Sequence, residues 1–407
     1  MSTPEFSRRL FVGGAATAAV AAAAVAAESL GASARATDAA STDTRYPYEG
    51  AHQSGILTAQ QASSAFLAFD VVATTAAELK SMFQALTTTS RWLTAGGPAP
   101  DHGMTATATD NGVLGDDVSA DGLTITVSVG PGLFDDRFGL HARKPARLTR
   151  MPEFDDDALD RAMCDGDLML QVCADHPDTV NRALRILLRA TRGALAIRWR
   201  MDGFLSPSRP DGAPRNLMGF KDGTANSSIA GHEDDLVWTH GGGAEPAWVE
   251  GGSYHVVRLI RMNVEFWDRV SVREQSTLIG RERSSGAPLT GSRETDEPAF
   301  TGPGADAIAG NAHIRLASNS GRSSSDGSRL LRRGYNYDAG FLPNGNLDMG
   351  LIFVTYNQDL ERQFATVQRR LSGEPLTDYV SSYGGGYFFV LPGVRGSDDW
   401  LGRAMFA

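Results

Sequence analysis

Leu168-Met169-Leu170-Gln171-Val172-Cys173-Ala174, followed by His176-Pro177, the run from Asp178 to Arg192 and then Ala194 to Phe204, is the stretch whose reading decides the fold. The first seven residues form a short, almost wholly apolar run with strand character. Asp178 to Arg192 is amphipathic at helical spacing, and the proline just ahead suits a helix start. Ala194 to Phe204 reads as a further strand. The unit is therefore strand, helix, strand.

Working outward, the same unit occurs upstream. Ala65 to Val72 is an apolar strand-like run, and Thr75 to Leu93 places Ala77, Leu79, Met82, Phe83 and Leu86 near helical spacing. Leu123 to Gly130 alternates with period two and reads as a strand. The second half repeats the theme: Tyr254 to Val264 is strand-like, Glu265 to Ile279 helical, Leu347 to Tyr356 strand-like, Asp359 to Leu371 helical, and Tyr387 to Leu391 a last strand. Two copies of a split strand-helix-strand unit imply a duplicated ferredoxin-like α+β fold. Inside the second copy a Gly/Ser/Pro/Asp-rich insertion runs from about Gly280 to Ser328. Structureless stretches of that length inside a domain usually carry function.

Composition narrows the class. The 407 residues are 42% hydrophobic and 21% charged, ordinary for a globular enzyme, and the net charge of -10 disfavours a nucleic-acid surface, which needs clustered Lys and Arg in excess. Ser7-Arg8-Arg9-Leu10-Phe11-Val12 precedes an Ala/Val/Gly stretch from Gly13 to Ala27 and the small-residue segment Ala34-Arg35-Ala36. This reads as a twin-arginine export signal over residues 1–36. The Ala-rich stretch is about 15 residues, short of the ~20 that span a bilayer, so no membrane insertion of the mature chain is expected and its destination is a periplasm or the cell exterior. Cys164 and Cys173 are too few for a disulfide framework. An oxidising destination permits a bridge between them, while the strand position of Cys173 favours two structural thiols.

Three short segments could carry chemistry. Gly219-Phe220-Lys221-Asp222-Gly223 admits a bland account, a turn whose glycines supply positive φ. It also admits a functional one, in which glycines such as Gly223 let the backbone approach a large planar ligand and Asp222 exchanges protons. Asn311-Ala312-His313-Ile314-Arg315 offers either a hydrogen-bonded structural histidine or an axial donor, for which one imidazole suffices when a porphyrin supplies the other four nitrogens. Leu330-Leu331-Arg332-Arg333-Gly334-Tyr335-Asn336-Tyr337 puts two arginines between apolar and aromatic residues, where a buried guanidinium needs an anion.

In this order the segments GFKDG, NAHIR and LLRRGYNY resemble the dye-decolourising (DyP-type) peroxidase family. The likeness extends from His52-Gln53-Ser54-Gly55-Ile56, through Gly166-Asp167-Leu168, to Ser382-Tyr383-Gly384-Gly385-Gly386-Tyr387-Phe388. With the export signal it is similar to the secreted branch that includes deferrochelatase/peroxidase proteins. The resemblance implies two ferredoxin-like halves of the dimeric α+β barrel type, here 37–215 and 216–407, with haem b bound mainly by the second. It makes His313 the proximal iron ligand, Asp222 the distal acid/base and Arg332 the distal arginine, with Arg333, the neighbouring register, as a further cofactor contact. Arg315 is expected at a haem propionate and Asp326 on the other nitrogen of His313. The implied reaction consumes hydrogen peroxide and oxidises a bulky organic reductant such as a dye or phenolic through a ferryl intermediate. Electrons would pass through aromatics such as Trp238, Trp248, Trp267, Trp400, Tyr335 or Tyr337. The alternatives are a deferrochelatase releasing iron from haem and a non-catalytic haem-binding protein.

Overall fold

The computed structural model describes residues 43–116, 118–318 and 327–407; the expected export signal lies outside them. Asp43–Ala407 forms one compact unit. Its first half consists of β1 (Ser63–Val71), α1 (Ala76–Ala95), β2 (Thr124–Val129), β3 (Leu168–Ala174), α2 (Pro177–Ala190) and β4 (Leu195–Phe204), and the four strands lie in the order β4-β1-β3-β2. After the short α3 (Glu233–Leu236), the second half runs β5 (Ser253–Met262), α4 (Val264–Trp267), α5 (Val272–Ile279), α6 (His313–Ala317), β6 (Leu331–Arg332), β7 (Tyr335–Phe341), β8 (Leu347–Asn357), α7 (Thr366–Leu371) and β9 (Val380–Val390). Its sheet order is β9-β5-β8-β7, with β6 on the same edge of β8.

All pairings between these strands are antiparallel. The two four-stranded sheets meet at thin seams, Ser128↔Val390 and Val129↔Phe389 on one side and Phe204↔Asn336 on the other. Eight strands thereby close into a barrel, which removes the free edges an open sheet would expose. Strand alternation fills two cores. Phe66, Trp199, Tyr335, Tyr356 and Phe388 point into the barrel, while Leu67, Phe69, Leu170 and Val172 point outward under α1 and α2. Helix α1 starts where the sequence dictates: Thr75 and Glu78 form a capping box, and Leu79, Met82, Phe83 and Leu86 make the buried stripe.

The second half departs from the expected elements in three places. The helix anticipated from Glu265 to Ile279 is broken, because Ser271 leaves the helix and caps α5 by accepting the Glu274 N–H. Strands β6 and β7 replace what the sequence presents only as an arginine and aromatic cluster. The last strand begins at Val380, seven residues before the apolar run, since Gly384, Gly385 and Gly386 hide its pattern. A Cβ at Gly385 would lie 2.0 Å from the Val257 carbonyl, and the segment before β3 runs along this strand through Asp165 N–H to Gly385 O at 2.8 Å. Only glycine fits between these two backbones.

Cys164 and Cys173 are both buried and unbridged, in line with two structural thiols. Among the described residues no helix is long and apolar enough to cross a membrane.

Candidate active site

Asp222 is placed by a tight turn. Asn216 Oδ1 accepts the Met218 and Phe220 N–H groups, Phe220 is buried against Trp267, and the Asp222 N–H donates to Pro214 O at 2.9 Å. Lys221 turns the other way and is buried, its ammonium donating to the Glu294 carboxylate and to Asp211 O. Asp222 is left facing a cleft, where its Oδ1 accepts the Gly223 N–H at 2.7 Å and pairs with an Arg332 guanidinium nitrogen at 2.8 Å. Gly223 sits at φ +83°, the left-handed region that favours glycine, so the chain turns away directly after this carboxylate.

Adjacent residues of a strand face opposite sides, and this separates Arg332 from Arg333. Arg332 points into the cleft. Arg333 points into the barrel, almost fully buried, and donates to Thr58 O, Ala59 O and Gln61 Oε1. The cofactor contact expected of Arg333 is thereby corrected to a structural role. Asn226, which the sequence reading left without a role, holds Arg332 twice: Oδ1 accepts its N–H at 3.0 Å and Nδ2 donates to its carbonyl at 2.6 Å. Its position four residues after Asp222, in a loop otherwise of small residues, was the available signal. The cleft is lined by Gln60, Arg215, Asn216, Asp222, Arg332 and Asn336 among others, so both halves contribute to it.

His313 opens α6. Its Nδ1 lies 2.9 Å from Glu374 Oε2 and 3.0 Å from Oε1, and Glu374 is buried. The carboxylate accepts from Nδ1, so Nε2 is the ring nitrogen it does not engage. The ring is 28% exposed, and Nε2 has no hydrogen-bond partner among the described residues. Asp326, expected in this role, lies outside the described residues; the role belongs to Glu374. Arg315 is committed elsewhere, its guanidinium donating to Phe300 O, Ala305 O and Ile308 O, so it braces the insertion rather than presenting a free fork to a propionate.

The end of α5 connects the two groups. Gly280 packs on Ile314, next to His313, and the following Arg281 stands near Arg332. Burial, and then the like charge of Arg332, pull the Arg281 guanidinium below its ordinary pKa. Arg281 donates to Gly286 O at 2.7 Å and Glu294 O at 3.0 Å, which leaves Arg332 as the guanidinium that lines the cleft beside Asp222. The aromatics proposed for electron transfer are mostly interior: Trp238, Trp248, Trp267, Tyr335 and Tyr337 are buried, and only Trp400 is half-exposed.

Comparison with known proteins identifies the family. The family description Dyp-type peroxidase, N-terminal, matches residues 53–205, and Dyp-type peroxidase, C-terminal, matches residues 213–395. A deferrochelatase of Shigella flexneri is 47% identical over 369 residues, covering 89% of this chain and 87% of that protein. One from Yersinia pestis is 46% identical over 368 residues, covering 89% and 85%. The crystal structure of a DyP-type peroxidase from Cellulomonas bogoriensis superposes with a TM-score of 0.80 at 37% identity, over 89% of this chain and 98% of that one. Ferric DtpA from Streptomyces lividans gives 0.80 at 32% identity, over 89% and 98%. This chain belongs to the Dyp-type peroxidase family and is a peroxidase.

Proposed function

We propose that the chain binds haem b through His313 and uses Asp222 and Arg332 to cleave hydrogen peroxide at the expense of a bulky organic reductant. The observation that carries this reading is the His313–Glu374 pair, which commits Nδ1 and leaves Nε2 for iron. The donor set suits a metal that brings its own ring. Among the described residues no group of three or more His, Cys, Asp and Glu side chains could cage a bare ion, whereas a porphyrin iron needs one axial imidazole. Arg332 in the cleft supplies a cation for one of its carboxylates or for the peroxide. When bound, haem supplies an open iron position and a ring that can give up electrons.

The protein's part in peroxide cleavage is proton transfer and charge stabilisation. The Asp222 carboxylate takes the proton from one peroxide oxygen and returns it to the other, so that water departs. The Arg332 guanidinium stabilises negative charge on the leaving oxygen. Asn226 fixes the arginine by its backbone, leaving the guanidinium to follow the charge. Glu374 makes the imidazole a stronger donor.

The duplicated strand order 4-1-3-2 supports reading the halves as ferredoxin-like copies, with the boundary near residue 215. Arg8-Arg9 and the Ala-rich stretch support twin-arginine export to a periplasm or the exterior. The purified protein should show a Soret band that changes on adding one equivalent of peroxide, followed by dye bleaching. No Soret band in protein made with ample haem would overturn the proposal.

The relatives named deferrochelatase favour a second reading of the same site, release of iron from haem. Free protoporphyrin fluorescence after incubation with haem, without peroxide-dependent bleaching, would select it.

A further inference from the structure

Glu374, which holds the imidazole of His313, comes directly after the turn Ser372-Gly373, where the chain leaves α7. That turn is gripped from the other half of the molecule. The Gly373 N–H donates to Asp156 Oδ2 at 3.0 Å, and the Ser372 hydroxyl donates to Asp155 Oδ2 at 3.2 Å. Both carboxylates belong to the long connection between β2 and β3. Asp157, next in sequence, turns inward instead. It pairs with Arg258 of β5, the two side chains being 1% and 2% exposed, and accepts the Phe154 N–H at 3.0 Å. Phe154 lies edge-on to Phe364 at 6.1 Å and under the Arg258 guanidinium at 5.1 Å. The Ala158 N–H donates to Ser382 O of β9 at 2.9 Å.

Three consecutive carboxylates repel one another and would ordinarily be solvated. Here each has its own donor: one is sunk into the protein as an anchor, and two reach back to a turn more than 200 residues away in sequence. The Glu374 carbonyl accepts from Thr377, which fixes the side after the turn. On the side before it, the Glu374 N–H to Leu371 O bond at 3.0 Å is joined by the two aspartate contacts. A shift of about 1 Å at this turn would carry the Glu374 carboxylate out of strong hydrogen-bond range of Nδ1.

We infer that Asp155, Asp156 and Asp157 form a clasp from the first half that positions Glu374 against His313, with Asp156 as the principal positioning residue and Asp157 as its anchor. This rests on the haem reading above. Asp156 lies on the surface side of the clasp, so its substitution spares the buried Asp157–Arg258 pair. Asp156→Ala removes the acceptor for Gly373, whereas Asp156→Asn keeps an amide oxygen in the same place; Glu374→Gln sets the limit.

Two kinds of measurement separate the clasp from the haem reading. In haem-free protein, hydrogen exchange at the Gly373 amide should be faster in Asp156→Ala and near wild type in Asp156→Asn. In haem-loaded protein, transfer of haem to apomyoglobin should be faster in Asp156→Ala, by about 10-fold, the lower end of what losing a partner of a metal ligand costs. The iron midpoint potential should shift in the same direction as in Glu374→Gln, and Asp156→Asn should restore both. Unchanged Gly373 exchange in Asp156→Ala, or unchanged haem transfer and potential where Glu374→Gln alters them, would overturn the clasp. An asparagine variant as impaired as alanine would overturn positioning as its role. A wild-type protein that takes up no haem would overturn the haem reading, and Gly373 exchange would still decide the clasp.

Discussion

The two halves of the molecule share an element order and a strand order, yet they cover their sheets differently. In the first half α1 runs 20 residues and α2 14, and between them they bury the outer sheet face under Leu79, Phe83, Leu86, Val180, Leu184 and Leu187. In the second half the corresponding helices are shorter and less regular, 8 residues in α5 and, in α7, 6 residues that continue a π-helical turn over Glu361–Ala365, with the long insertion between α5 and β6. A sheet face must be covered by something. In the second half, loops and short elements carry His313, Asp222 and Arg332. The first half in turn steadies the second through the closed barrel and the Asp155–Asp157 segment.

Substitutions in the two kinds of region should therefore fail differently. Asp222→Asn is expected to retain haem but slow the peroxide step by roughly 10²–10⁴-fold, the usual worth of a positioned proton-transfer group. Rapid mixing with peroxide, followed in the Soret region, measures it, and a wild-type rate would remove Asp222 from proton transfer. Arg332→Leu should slow the same step by about 10²–10³-fold, as for loss of a charge-stabilising donor. Arg333→Leu should instead leave the peroxide step near normal and lower stability in urea by roughly 2–4 kcal/mol, because Thr58 O, Ala59 O and Gln61 lose a buried donor. If the two arginine variants exchange phenotypes, the division between cleft and barrel is wrong.

A smaller effect distinguishes the barrel under acid. His255 is fully buried, its Nδ1 2.9 Å from Ser128 Oγ and its ring stacked on Tyr356, and burial lowers its pKa to about 3. The unfolded chain binds this proton near pH 6.5. The folded value is the lower one, so stability from this group is present above about 6.5 and is lost progressively as pH falls toward 3. Melting temperature should drop across that window, and His255→Gln should flatten the drop; an equal slope in both proteins would assign acid sensitivity to other groups.

Apolar runs made β1 and β3 legible in the sequence and period-two alternation made β2 legible, and β4, β5 and β8 also read as strands, because their apolar side chains are buried in one or both of two cores. β7 was not legible: Tyr335-Asn336-Tyr337-Asp338 is a strand through barrel closure, not through an apolar pattern. The segments bearing Asp222, His313 and Arg332 could be singled out because each has an unusual local setting. Glu374 could not, since its partnership with His313 spans 61 residues and is set by how α6 packs on α7. Spacing pointed to Asp326 for that role, and spacing alone cannot see a contact made across a packed interface. Arg315 and Arg333 were expected at a cofactor, whereas backbone carbonyls and, for Arg333, the Gln61 side-chain oxygen take their donors.

The central claim is that His313 is the axial ligand and that Glu374 commits its other nitrogen. It is tested most directly by the absorption spectrum of His313→Gly loaded with haem, with and without added imidazole. The account predicts weak haem retention and an altered Soret band, with free imidazole restoring a wild-type-like spectrum while Glu374 is intact. A His313→Gly protein that holds haem with the wild-type spectrum, indifferent to imidazole, would contradict it.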